Sequence, residues 1–148
     1  MPGFFGNLEL LILTIIILLG LYLRFANLEN NPNGFYVDEA STGYNAWSIL
    51  QTGKDEYGKS FPLSMRFLGS YTPPVYTYLT SIAMSFLEPT VTATRIVSSI
   101  SGVLLILIFY LFLRSTNILQ NKISLYFATL LFAINPWAIF YSRIGYEI

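Results

Sequence analysis

The chain has 148 residues, of which 54% are hydrophobic and 17% aromatic, while only 11% are charged. Soluble domains carry about 25% charged residues, so the composition favours lipid exposure over an all-aqueous surface. The eight basic and eight acidic residues cancel, which leaves no electrostatic footprint for nucleic acid. Cysteine and histidine are both absent, so disulfides and thiol chemistry are excluded from this stretch, and any general base must be a carboxylate, a tyrosine or a lysine.

In chain order, the first apolar run is Leu10 to Leu23, uncharged throughout. Extended back to Phe4 it contains Glu9 as its one charged group. A bilayer core of about 30 Å needs about 20 helical residues, and a predicted span over about 4–25 meets that length. No basic segment precedes the run, so it reads as a retained anchor and not a signal peptide. Asn27 to Gly34 is dense in turn residues and ends this helix.

The adjacent acidic pair Asp38-Glu39 follows, and carboxylates at a bilayer edge are functional-site candidates by default. A structural role is equally available, with Asp38 as a helix N-cap and Glu39 complementing the helix dipole. Ala40, Tyr44, Trp47 and Leu50 then recur on one helical face, predicting a short amphipathic helix from Ala40 to Gln51 with Gly53 as its C-cap. Asp55 and Glu56 are read as a solvated turn between Gly53 and Gly58.

Pro73-Pro74 suits a helix start, and Val75 to Leu87 is predicted as an interfacial helix. At roughly 20 Å it is too short for an upright crossing, and Tyr71, Tyr76 and Tyr78 are residues of the headgroup level. A tilted fourth span is the alternative. Arg95 comes next, as a snorkelling flank or as a guanidinium suited to bidentate pairing with a phosphate. Two further spans are predicted at 96–113 and 123–142, the latter ending at Asn135-Pro136-Trp137, a kink or helix exit with an interfacial anchor. Arg143 and Glu147 lie four apart and would pair if helical. Charge in the short connections does not decide orientation. No Gly-rich phosphate loop, zinc spacing or serine-nucleophile motif is present.

The expected fold is thus an all-α membrane protein with three transmembrane helices and two juxtamembrane helices in a first loop over about 27–94. Several short motifs stand in one order: Phe35-Tyr36-Val37-Asp38-Glu39-Ala40, Gly43-Tyr44-Asn45-Ala46, Thr52 to Gly58, Pro73-Pro74-Val75-Tyr76, Ala93-Thr94-Arg95-Ile96, and Asn135-Pro136 before Tyr141-Ser142-Arg143. This ordered set resembles the N-terminal part of a C-superfamily, polyprenyl-phosphate-sugar-dependent glycosyltransferase, of the protein O-mannosyltransferase and lipid A aminoarabinose transferase kind.

The resemblance implies a multi-pass enzyme of the cell membrane that uses a lipid-phosphate-linked sugar at the extracytoplasmic face. It implies Asp38 and Glu39 as the catalytic acidic pair, with Asp38 the base, and Arg95 as a contact to the donor phosphate. Glu147, beside Arg143, would be the second acidic position. A divalent metal, magnesium or manganese, held by Asp38 and Glu147 is used by some members and not by others. Transfer to a hydroxyl acceptor would proceed with inversion. Such enzymes have many more crossings, so the chain reads as an N-terminal fragment, inactive alone, whose acceptor determinants lie elsewhere. The competing reading is a small non-enzymatic membrane subunit or transporter fragment.

Overall fold

The structure, a computed structural model, describes residues 6–145. It comprises α1 (Asn7–Phe25), α2 (Val37–Thr52), β1 (Met65–Phe67), β2 (Ser70–Thr72), α3 (Val75–Met84), α4 (Val91–Thr116), α5 (Lys122–Ala133) and α6 (Pro136–Tyr141). Helices α1, α4 and α5 pack together, and α2 and α3 pack on each other beside the N-terminal part of α4.

Two helices, α1 and α4, are long and apolar enough to cross a membrane. Their outward faces set them apart from the core helices of a soluble protein. On α1, Leu11, Ile15 and Leu18 stand 56%, 56% and 59% exposed. On α4, Leu104, Ile108 and Phe112 stand 52%, 58% and 53% exposed. Both sets recur at helical spacing, so each helix presents a continuous apolar stripe away from its neighbours. The inward faces meet through two small clusters: Leu13, Tyr110, Leu113 and Leu125, and then Ile16, Ile106 and Ala133.

Polar residues gather at the two ends of this bundle. At one end, Glu9 in the first turn of α1 accepts from the Tyr110 hydroxyl and pairs with Arg114 in the last turn of α4. Lys122, at the start of α5, stands 3.7 Å from the same carboxylate. At the other end lie Arg24, Arg95 and Arg143, all buried. Arg95 and Arg114 are 19 residues apart on one helix, about 28 Å, close to the thickness of a hydrocarbon core.

The expected third span, 123–142, is not one helix. The α5 helix ends at Ala133 after 12 residues, about 18 Å. Asn135 then caps a second helix, its Oδ1 accepting from the Ala138 N–H at 3.1 Å, with Pro136 in the first turn. Proline has no N–H to continue the α5 ladder and is pre-set to begin a new helix. A helix does stand where the interfacial one is expected, but it is shorter, ten residues from Val75 to Met84. At about 15 Å it does not support a fourth span.

The fold is also not purely helical. Met65–Phe67 and Ser70–Thr72 pair antiparallel, with Met65 opposite Thr72. Leu68 (φ 43°) and Gly69 (φ 84°) both take left-handed conformations at the turn, the type I′ geometry that matches strand twist. This hairpin hid in the sequence because leucine, which resists that conformation, stands where asparagine would signal it.

Candidate functional site

The two members of the acidic pair have separate environments, and the helix they begin explains why. The N-cap of α2 is Tyr36, not Asp38. Glu39 is therefore at the third helical position, where its Oε2 reaches back to accept from the Tyr36 N–H at 3.1 Å. Successive residues on a helix point about 100° apart. Glu39 consequently turns inward and is fully buried, while Asp38 remains exposed.

Glu39 meets Arg95 in a bidentate pair: Arg95 Nε to Oε1 at 2.8 Å and Nη2 to Oε2 at 2.9 Å, both side chains 0% exposed. The Gly145 N–H adds a 2.7 Å bond to Oε1. Burial pushes the Glu39 carboxyl up, but Arg95 and the Gly145 and Tyr36 N–H groups outweigh it, so it titrates below the ordinary glutamate value of 4.5. Stability carried by such a group is full above that ordinary value and is lost as pH falls through the lowered one. We expect the stability difference between wild type and Glu39→Gln to shrink as pH drops from 7 towards 3, read from melting curves of both.

The remaining Arg95 donors close a cage around the α1–α2 connection. Nη1 reaches the carbonyls of Leu28 and Pro32, each at 3.1 Å, and Nη2 reaches Gly34 O at 2.6 Å. Arg143 completes the cage from the other side. Its Nη1 donates to Leu23 O, and its Nε and Nη2 donate to Asn31 O at 3.0 and 2.8 Å. Nη2 also donates to Ala26 O at 2.6 Å. Helix C-termini leave unsatisfied carbonyls; here Arg143 satisfies those of α1, and its positive charge suits the helix dipole. The expected helical pairing of Arg143 with Glu147 falls partly outside the described residues, as does Glu147 itself. Within them, Arg143 binds carbonyls.

The Arg95 donors are thus engaged by Glu39 and by carbonyls of the connecting loop. Gly145 belongs to the same assembly. A Cβ there would stand 2.8 Å from both Thr94 O and Thr94 Cγ2, distances that force displacement. Gly145→Ala should cost about 1–3 kcal/mol, seen as a lower melting midpoint with the same helical content.

Asp38, by contrast, makes no hydrogen bond or ion pair among the described residues. It stands at a pocket of about 40 Å³ between α2, the hairpin and α3, lined also by Thr42, Asn45, Thr72 and Thr77. Asn45 organises the wall. It donates to Glu56 Oε1 at 3.0 Å and accepts from the Glu56 N–H at 2.9 Å, tying the 53–60 loop to α2. Asp55 corrects the expectation of a solvated turn. It is 6% exposed, and its Oδ1 accepts from the N–H groups of Tyr57 and Lys59 at 3.0 and 2.8 Å. An aspartate bonding backbone two residues ahead is a turn-forming device, and burial follows from those bonds.

Among the described residues no three carboxylates converge as a cation site. Glu39 has both oxygens committed, and Asp38 stands alone. The expected magnesium or manganese site on Asp38 and Glu147 therefore finds one donor in the described region, and no chemical step is assigned to a metal. No family sequence model, curated protein or solved structure matches the chain.

Proposed function

We propose that the chain is part of a membrane glycosyltransferase that moves a sugar from a polyprenyl-phosphate donor to a hydroxyl acceptor. The supporting observation is the division of labour within the acidic pair. Glu39 is consumed by Arg95, while Asp38 is an exposed carboxylate without a partner among the described residues, beside a small pocket of mixed polar and apolar lining at one end of the two long apolar helices. The ordered motifs that resemble the C-superfamily point to the same residue.

In this reading α1 and α4 cross the bilayer, and α5 with α6 forms a third, broken crossing. The α2, hairpin and α3 region lies at the extracytoplasmic surface. Asp38 accepts the proton of the acceptor hydroxyl as its oxygen bonds to the anomeric carbon. The carbon–oxygen bond to the lipid phosphate breaks, and its electron pair leaves on the phosphate. One displacement inverts the anomeric centre. Arg95 holds Glu39, and through it the start of α2, so that Asp38 keeps its position.

The test is sugar transfer from polyprenyl-phosphate sugars by membranes expressing the gene that encodes this chain, in wild type and Asp38→Asn. Transfer by the wild type that disappears in the variant supports the reading. Equal transfer by both removes Asp38 as the base, and no transfer by the wild type from any such donor favours a non-enzymatic membrane subunit.

A further inference from the structure

Between α1 and α5 runs an apolar groove of about 460 Å³. Ile12, Ile15 and Leu19 of α1 form one wall, and Ile123, Phe127 and Leu130 of α5 form the other, each set at helical spacing. Ile15, Ile123 and Phe127 are exposed, so the groove is open along its rim. From Ile12 to Leu19 it runs for about 10 Å, and one leaflet of a hydrocarbon core is about 15 Å deep. The groove thus starts near the Glu9 end of the bundle and stops within a single leaflet.

The lining argues against a helix as its occupant. Transmembrane helices associate through close backbone approach, which favours glycine, alanine, serine or threonine at the contact. Among the described residues none of these lines the groove, and its branched aliphatic and aromatic side chains hold a second backbone off. A crossing helix would also run on along α1 past Leu19, where the groove ends. A flexible acyl chain meets both conditions, since it fills a narrow apolar furrow and enters from one leaflet.

Charge at the mouth selects the kind of lipid. Lys122 precedes Ile123, is 75% exposed, and stands 3.7 Å from the Glu9 carboxylate, one turn before Ile12. That carboxylate also pairs with Arg114, so among the described residues two cations meet one carboxylate there. The surplus positive charge is carried by Lys122, the more exposed of the two, at the level where an anionic lipid surface attracts it.

We infer that the groove holds one acyl chain of an anionic phospholipid, in the leaflet away from Asp38, with the Lys122 ammonium against its headgroup. The inference rests on the membrane placement of α1 and not on sugar transfer, so Asp38→Asn leaves it untouched.

The test places the full chain in nanodiscs of phosphatidylcholine and phosphatidylglycerol, with a trace of one or the other lipid carrying a photoreactive diazirine on its acyl chain. Crosslinked residues are mapped by peptide mass spectrometry. The α4 stripe of Leu104, Ile108 and Phe112, exposed to a similar degree, reports ordinary contact with bulk lipid. The phosphatidylglycerol probe should label Ile15, Phe127 and Leu130 several-fold more than that stripe. It should also label them about five-fold more than the phosphatidylcholine probe does, the factor for one lysine at an anionic surface. Lys122→Gln should abolish this preference and leave labelling of α4 unchanged, which shows that the variant is folded and inserted. Ile15→Trp, which fills the groove from its rim, should cut groove labelling by both probes. Groove labelling no stronger than on α4, equal labelling by the two probes, a preference that survives Lys122→Gln, or no effect of Ile15→Trp would overturn the assignment. A groove that takes no label at all would also overturn it, and would mean that another helix, from a second copy or a different protein, covers this face.

Discussion

Arg95→Ala should destabilise the chain by about 3–5 kcal/mol, the cost of leaving a buried carboxylate without its partner. The expected reading is a melting midpoint lower by on the order of 10 °C, followed in nanodiscs through the fluorescence of Trp47 and Trp137. The loss should exceed that of an isolated pair, because the same guanidinium serves Leu28, Pro32 and Gly34 carbonyls. A double replacement separates the contributions. Changing Glu39 and Arg95 together to methionine removes the stranded charge, and the pair alone is then close to neutral. What the double variant fails to recover belongs to the carbonyl cage. Full recovery would mean that the cage contributes nothing. Arg95→Lys should recover little, since a single ammonium cannot reproduce a two-pronged contact and reach three carbonyls as well.

Asp38→Asn should reduce sugar transfer by about 10²- to 10⁴-fold, the range for loss of a general base. Its melting midpoint should stay within error of wild type, because the side chain is exposed and makes no hydrogen bond among the described residues. Asparagine is nearly the same shape but far less able to take the acceptor proton. The combination of a large loss in rate and none in stability is the signature of a residue that acts on substrate. A variant that unfolds instead would place Asp38 in the scaffold alongside Glu39.

Much of the helical framework is legible in the sequence. Uncharged runs mark α1 and α4, and the spacing of Ala40, Tyr44, Trp47 and Leu50 marks α2, which Gly53 ends in the left-handed conformation at φ 70°. Pro136 marks a break, but the run's length disguises two helices as one span. The buried side chains are less legible. Arg95 looks like an ordinary membrane flank, yet Arg24, Arg95 and Arg143 all turn inward: Arg95 and Arg143 serve carbonyls at the end of α1 and in the α1–α2 connection, and Arg24 serves Gly20 O within α1 and Ala133 O at the end of α5. The Glu39–Arg95 pair joins residues 56 apart in sequence, a separation that no local pattern reports. Its only local hint is phase: one residue beyond Asp38 on a helix faces a different way. Asp55 is misread for a related reason, since its burial depends on the closed loop that its own hydrogen bonds create.

The two neighbouring carboxylates allow one direct comparison: the melting midpoint of Glu39→Gln set beside that of Asp38→Asn, at neutral pH and in the same lipid. Glu39→Gln should fall by several degrees, because an amide replaces the negative partner of a fully buried guanidinium, while Asp38→Asn should not move. Equal midpoints, or a larger fall for Asp38→Asn, would contradict the assignment of one carboxylate to the scaffold and the other to chemistry.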